Sequence, residues 1–268
     1  MMIQKTKWAI QSKLGNSTDI EKIVAYLEQQ HIPYEMIEVI PFSDDLPVLV
    51  EDQENVIFYG STTLIKNVYA AQKWKPGVWF NPSSYEFKNV LKGYGKENLL
   101  NGDSEVITVK ELLSRDYPSD EILFVRPAAD MKEFTGAAME FQEIKKWDGF
   151  KSSKGPFSFE TKVQVAAPKN IEAEYRTVVV DKQVITSSQY RRNNRFNCRD
   201  EVPQSIIDYA SEMAQLYQPS EVFTLDVCEL TNGTLKIVET NTFNASGFYW
   251  ADYYKIIESV TNFSYDNF

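Results

Sequence analysis

Asp226, Glu239 and Asn241, near the C-terminal end, have the types and spacing of a metal–phosphate site. They flank Asn232-Gly233, a dipeptide that between β-type residues favours a two-residue type I′ hairpin turn. Such a turn sets Thr231 opposite Thr234, Glu229 opposite Lys236, Val227 opposite Val238 and Asp226 opposite Glu239. Asn241 lies two residues past Glu239 and shares its face. Like charges opposite one another repel. A bound cation relieves that repulsion. Two carboxylates and an amide oxygen are hard ligands, suited to a magnesium ion that also holds phosphate oxygens. The competing reading is an acidic face that points to water.

Cations stand upstream. Arg126 ends the run EILFVR before Pro127, and Lys132 follows six residues later in a loop. A guanidinium on a strand and an ammonium on a loop can grip different phosphates of one nucleotide. The alternative is a pair of solvated cations balancing Glu121, Asp130 and Glu133. The stretch EYRTVVVDKQVITSSQYR reads as a hairpin turning at Asp181-Lys182. Glu174 and Arg176 share a face by period two, and the turn brings Gln189 and Arg191 onto the matching face. Arg176 and Arg191 then line an anion pocket, or join Glu174 in a cross-strand salt-bridge ladder of little energetic weight.

Other chemistries are poorly supplied. His31 is the only histidine, in the polar stretch EQQHIPY, so mechanisms built on a Ser-His-Asp or Cys-His pair have one unpromising candidate. Cys198 and Cys228 have no ligand spacing, which argues against structural zinc or a disulfide framework and fits a reducing cytoplasm. A net charge of -10 argues against general nucleic-acid or anionic-membrane binding. No run approaches the roughly 20 apolar residues of a membrane span, and MMIQKTKWAIQSK has no apolar signal-peptide core.

The elements that must position these residues fall into two textures. KWAIQSK, YEMIEVIPF and ENVIFYG read as strands. Between the first two lies a helix started at Thr18 with Glu21 as its capping partner, buried through Ile20, Ile23, Val24 and Leu27. A second helical pattern runs from Gly60-Ser61-Thr62 to Ala71. This is a small parallel α/β unit over residues 1–117. After Tyr117-Pro118 come EILFVRP, VQVAAP, the two hairpins and the amphipathic helix VPQSIIDYASEMAQLY. The aromatic tail FNASGFYWADYY is expected to pack against the core, the alternative being that it walls the substrate pocket.

Taken in order, FVRPAADMKEFTG, EAEYRTVVVDKQVITSSQYR and FTLDVCELTNGTLKIVETN resemble the ATP-grasp superfamily. The clade named for its arginine and lysines, often found in phage and bacterial genomes, is the nearest match. The resemblance covers roughly residues 45 to 250. It implies an α+β architecture: a two-lobed ATP-grasp domain over 118–268, preceded by the small α/β domain. It assigns magnesium to Asp226, Glu239 and Asn241. Glu174-x-Arg176 resembles an acid-x-Arg motif that contacts phosphate. VQVAAP falls where an interlobe hinge reads adenine through backbone groups, at Gln164, Val165 and Ala166. Arg126 stands where a lysine is usual, and AADMKEFTG replaces a Gly-rich phosphate loop.

The implied activity uses ATP and Mg2+ to activate a carboxylate as an acyl phosphate, which an amine-like acceptor then displaces. Arg176 and Arg191 would act in catalysis; Arg126 and Lys132 would hold phosphates. The substrates would be small-molecule or peptide carboxylates and amines. An ATP-grasp kinase, or a silent nucleotide-binding protein, are the rival readings.

Overall fold

The computed structural model describes residues 6–14, 17–40, 43–50, 53–128, 134–146 and 158–268. Strands β1 (Lys7–Gln11), β2 (Tyr34–Ile37), β3 (Asn55–Tyr59) and β4 (Lys75–Gly77) form a parallel sheet in the order β2-β1-β3-β4. Every residue of β1 is buried, because helices cover both faces. Helix α1 (Ser17–Gln29) lays Ile23 and Leu27 on one face, and α2 (Thr62–Ala71) lays Leu64, Ile65 and Val68 on the other. The helix expected from Thr18 thus begins at Ser17. Ser61 caps α2 by accepting from Leu64 N–H.

Helix α3 (Phe87–Tyr94) and the short α4 (Val109–Ser114) follow, with β5 (Glu105–Thr108) between them. A second sheet joins β5 to β6 (Ile122–Pro127), β7 (Ala137–Glu140) and β8 (Lys162–Ala166) in the order β5-β8-β6-β7. Its apolar face packs Val125, Val163 and Val165 on α4 and on α5 (Phe141–Lys146). Period two turns Arg126 and its cross-strand partner Gln164 to the opposite face. Strand β5 precedes the division at 117 yet pairs with strands beyond it.

The third sheet runs β11-β10-β9-β12-β13, built from β9 (Ile171–Val180), β10 (Gln183–Arg192), β11 (Arg195–Arg199), β12 (Val222–Leu230) and β13 (Leu235–Thr242). On one face Ala173, Tyr175, Phe223, Leu225 and Val227 pack on α6 (Gln204–Leu216). The other face of β9 carries Val178 and Val180 at one end, in the core, and Glu174 and Arg176 at the other. The final helix α7 (Tyr253–Asn267) returns to the first sheet beside α1, where Trp8 Nε1 donates to Thr261 Oγ1 at 3.0 Å.

Both hairpins turn where expected, one by a different device. Asp181 and Lys182 have φ of 45° and 65°, a type I′ turn without glycine. At Asn232-Gly233 only Gly233 has positive φ, 81°, and Leu230 N–H donates to Thr234 O. This is a three-residue loop closed by a glycine bulge. It shifts the expected register by one, so Glu229 pairs with Leu235 and Cys228 with Lys236. Val227 pairs with Ile237, not Val238. Val238 is then skipped as a second bulge, which restores Asp226 opposite Glu239.

Gly93 lets α3 seat flat on Tyr217. A Cβ there would lie 2.3 Å from the Tyr217 ring. Gly93→Ala is expected to destabilise by about 1–3 kcal/mol through overpacking, measured by urea denaturation. An unchanged midpoint would show that Tyr217 moves aside freely.

Candidate active site

Two sheets converge on one cleft. The second sheet contributes Arg126 and Gln164, and the third contributes Val238, Glu239 and Thr240. Phe87, Val90 and Leu99 close an apolar side of the cleft. That mixture of an apolar wall with a few polar groups suits a small ligand.

The charged groups form a network across it. Arg126 donates to Glu239 Oε2 at 3.1 Å. Arg176 grips Asp226 with two hydrogen bonds of 2.8 and 2.7 Å, and donates to Gly247 O at 3.1 Å. Its guanidinium also lies 3.9 Å from Glu239. Asn241 donates to Glu239 at 3.0 Å. On the next strand Tyr190 and Arg191 both reach Glu174 at 2.8 Å, because a bulge at Tyr190 turns both toward it. Three guanidiniums thus face three carboxylates. The repulsion expected between Asp226 and Glu239 is answered by Arg176 and Arg126.

Burial pushes the Asp226 carboxyl up, against the pull of Arg176 and with the help of Glu239 and Glu174. Burial also acts to raise Glu239, but Arg126 and Arg176, with hydrogen bonds from Asn241 and Arg126, outweigh it and hold that carboxyl below its usual range. Burial acts to lower the Arg176 pKa, but the Asp226 carboxylate outweighs it and holds the guanidinium firmly protonated.

Two aromatic residues complete the site: Tyr190, which the sequence did not single out, and Tyr249, in the tail expected to pack against the core. Tyr249 stacks on Tyr190 with centroids 4.8 Å apart and planes 14° from parallel. The Arg176 guanidinium lies 5.2 Å from the Tyr249 ring. Tyr249 has φ of 55°, a left-handed conformation rare for an aromatic residue. The surrounding chain enforces it. Asn244 bonds Phe58 O and Trp79 N–H, Tyr59 donates to Ser246 O, and Ser188 donates to Phe248 O. Strain held by so many contacts is typical of functional sites. Phe248 packs in the core as expected for the tail, whereas Tyr249 belongs to the site.

Of the expected residues, Arg126, Glu174, Arg176, Arg191, Asp226, Glu239 and Asn241 form the network. Gln164 lines the cleft. The Val165 side chain points into the core of the second sheet, and Gln164 and Val165 are paired to strands on both sides. Their main-chain groups are therefore committed to the ladder, and Ala166, paired only with Phe124, is the first residue with a free side. Gln189 does not join the matching face. It pairs with Tyr175, and its amide donates to Asn197. Lys132 lies outside the described residues.

The donor set fits a hard cation in part. Asp226, Glu239 and Asn241 are adjacent and all-oxygen, but no cluster of three or more His, Cys, Asp or Glu suited to a metal occurs among the described residues. Phosphate oxygens would have to complete the coordination. Both carboxylates would also have to share or release their guanidiniums.

Three sheets, with a cleft between the second and third, agree with an ATP-grasp architecture. The family described as ATP-grasp domain, family 3 of the R-2-K clade, matches residues 68–261, and the chain belongs to it. No curated protein matches the chain. Among solved structures, a RimK domain protein ATP-grasp from Sphaerobacter thermophilus superposes with a TM-score of 0.61 at 11% identity, over 97% of this chain and 98% of that one. The ATP-grasp ligase PsnB, complexed with precursor peptide PsnA2 and AMPPNP, gives 0.58 at 11%, over 98% and 99%. D-alanyl-alanine synthetase A from Vibrio cholerae gives 0.58 at 11%, over 98% of each. PsnB has also been solved with Mg and ADP. At such identities the likeness is one of fold. No helix among the described residues is long and apolar enough to cross a membrane.

Proposed function

We propose that the chain is an ATP- and Mg2+-dependent ligase that activates a carboxylate as an acyl phosphate and joins it to an amine-like acceptor. One observation carries this reading: Arg126 and Arg176, from two different sheets, meet at Glu239 with Asp226 and Asn241 beside them. A neutral network of three arginines and three carboxylates admits a triphosphate only together with compensating cations. Asp226, Glu239 and Asn241 would hold them. ATP supplies the phosphoryl group, and its magnesium neutralises charge on the phosphate oxygens.

The chain's own groups would bind and orient. Arg126 would hold nucleotide phosphate, with Lys132 as its proposed helper. Arg176, freed from Asp226, would spread charge on the transferring group, and Arg191 would orient the substrate carboxylate. Phe87, Val90 and Leu99 would pack the base, and Ala166 would offer it main-chain groups. Glu174 would hold Arg191 and Tyr190 in place. No side-chain nucleophile is needed, in keeping with the single histidine.

Trapping tests the reaction type. With Mg2+-ATP, a panel of carboxylic acids and hydroxylamine as acceptor, hydroxamate and ADP are expected in equal amounts. Phosphorylated product without hydroxamate would assign a phosphotransferase instead. For Arg126, millimolar Mg2+-ATP is expected to raise the melting temperature by several degrees, since a ligand at 100 times its Kd adds about 2.7 kcal/mol. Arg126→Ala should reduce that shift while leaving the shift with adenosine unchanged. Equal loss with both ligands would make Arg126 structural.

A further inference from the structure

The chain has seven arginines: Arg115, Arg126, Arg176, Arg191, Arg192, Arg195 and Arg199. Four of them fall between 191 and 199, in a chain of net charge -10, with no acidic residue among them. A type I′ turn at Asn193-Asn194, with φ of 50° and 58°, folds this stretch so that Arg192 stands opposite Arg195. Like charges so placed repel. Glu174 neutralises Arg191 and Glu172 neutralises Arg192, each at 2.8 Å. Arg195 and Arg199, both exposed, make no ion pair among the described residues.

Strand β11 is the outer strand of its sheet, and its far edge pairs with no strand among the described residues. In a two-residue hairpin the pair flanking the turn exchanges hydrogen bonds, so the next residue, Phe196, turns its N–H and C=O outward. Phe196 is 75% exposed, yet its ring stands 6.0 Å from Tyr249 and it pairs with Arg191. The open edge therefore continues directly into the candidate site.

We propose that this edge docks an extended acidic peptide as an added strand, with its carboxylate side chains drawn toward Arg191. As a substrate site this rests on the ligase reading; as a peptide-binding edge it stands alone. Three observations select the occupant. An unpaired strand edge is complemented by another extended main chain. Uncompensated guanidiniums call for carboxylates, which are also the groups the proposed reaction consumes. Phe196 offers an apolar contact on the face leading to Tyr249. Charges on an edge can instead serve only to prevent aggregation, but an exposed phenylalanine within the strand works against that purpose.

The test uses the whole chain and fluorescent peptides of about eight residues, long enough to span a strand. Alternating Glu-Thr, its Gln-Thr counterpart and an N-methylated Glu-Thr peptide are compared by anisotropy. The Glu-Thr peptide should bind about tenfold more tightly than either control, and Arg195→Glu/Arg199→Glu should abolish that preference. The melting shift with Mg2+-ATP should be unchanged in this variant. If charge reversal prevents folding, Arg195→Ala should weaken binding by severalfold. No binding, equal binding of the Glu and Gln peptides, or indifference to N-methylation overturns the proposal. Equally tight binding of single-stranded DNA overturns it in favour of nucleic acid. Absence of any Mg2+-ATP shift in the parent protein would instead refute the nucleotide reading and leave peptide binding standing.

Discussion

Arg176→Ala is expected to lower stability by about 3–5 kcal/mol, because it leaves a buried carboxylate without its partner. The Asp226 side chain is 1% exposed and takes two of its hydrogen bonds from this guanidinium. The loss should depend on pH in a definite direction. Without Arg176 the main influence lowering the Asp226 pKa is gone, so the folded variant binds a proton more readily than the unfolded chain. Its deficit should be greatest near neutrality and shrink as pH falls toward the ordinary aspartate value, about 3.9. Asp226→Asn added to Arg176→Ala should restore part of the stability. Phosphoryl transfer should be lost in both. Urea titrations from neutral to acid pH check the first claim; a pH-independent loss under about 1 kcal/mol, the scale of an exposed ion pair, would show that the pair carries little energy.

Glu239→Gln should reduce magnesium-dependent turnover by about a hundredfold or more, since an amide neither carries the charge nor ligates as a carboxylate does. A pair of bare carboxylates would gain stability from this change. Here Arg126 and Arg176 already neutralise Glu239, so the metal-free variant should melt slightly lower. The Glu239 pKa is depressed in the folded protein, so its contribution is present above the ordinary glutamate value and lost as pH falls through the folded value. Parent and variant should therefore converge in stability at acid pH. A variant that melts higher than the parent would mean that the carboxylates do repel.

Much of this was legible from local pattern. Period-two alternation put Glu174 with Arg176 and Glu239 with Asn241, each pair on one face, and the glycine of Asn232-Gly233 located a hairpin. What pattern did not give is the bulges. A type I′ turn and a three-residue glycine-bulge loop share the same Asn-Gly signature, and they differ by one in register. A second irregularity at Val238 cancels the first, so the Asp226–Glu239 pair emerged from an incorrect turn. At Tyr190 a bulge redirected a tyrosine into the site and put Gln189 on the other face. For Tyr249 the pattern could not choose between the pocket and the core: aromatic content signals burial, while the placement of its segment depends on contacts from Phe58, Tyr59 and Trp79, far away in sequence. The pairing of β5 with β8 is likewise long-range and leaves no local mark.

We propose that Asp226, Glu239 and Asn241 hold metal together with nucleotide phosphate. Titration of AMPPNP with and without Mg2+, on the parent protein and on Glu239→Gln, tests it most directly. Mg2+ should tighten binding to the parent at least about tenfold, as a metal bridging protein and phosphate should, and leave the variant nearly indifferent to Mg2+. The same Mg2+ enhancement in both proteins, or none in the parent, would contradict it.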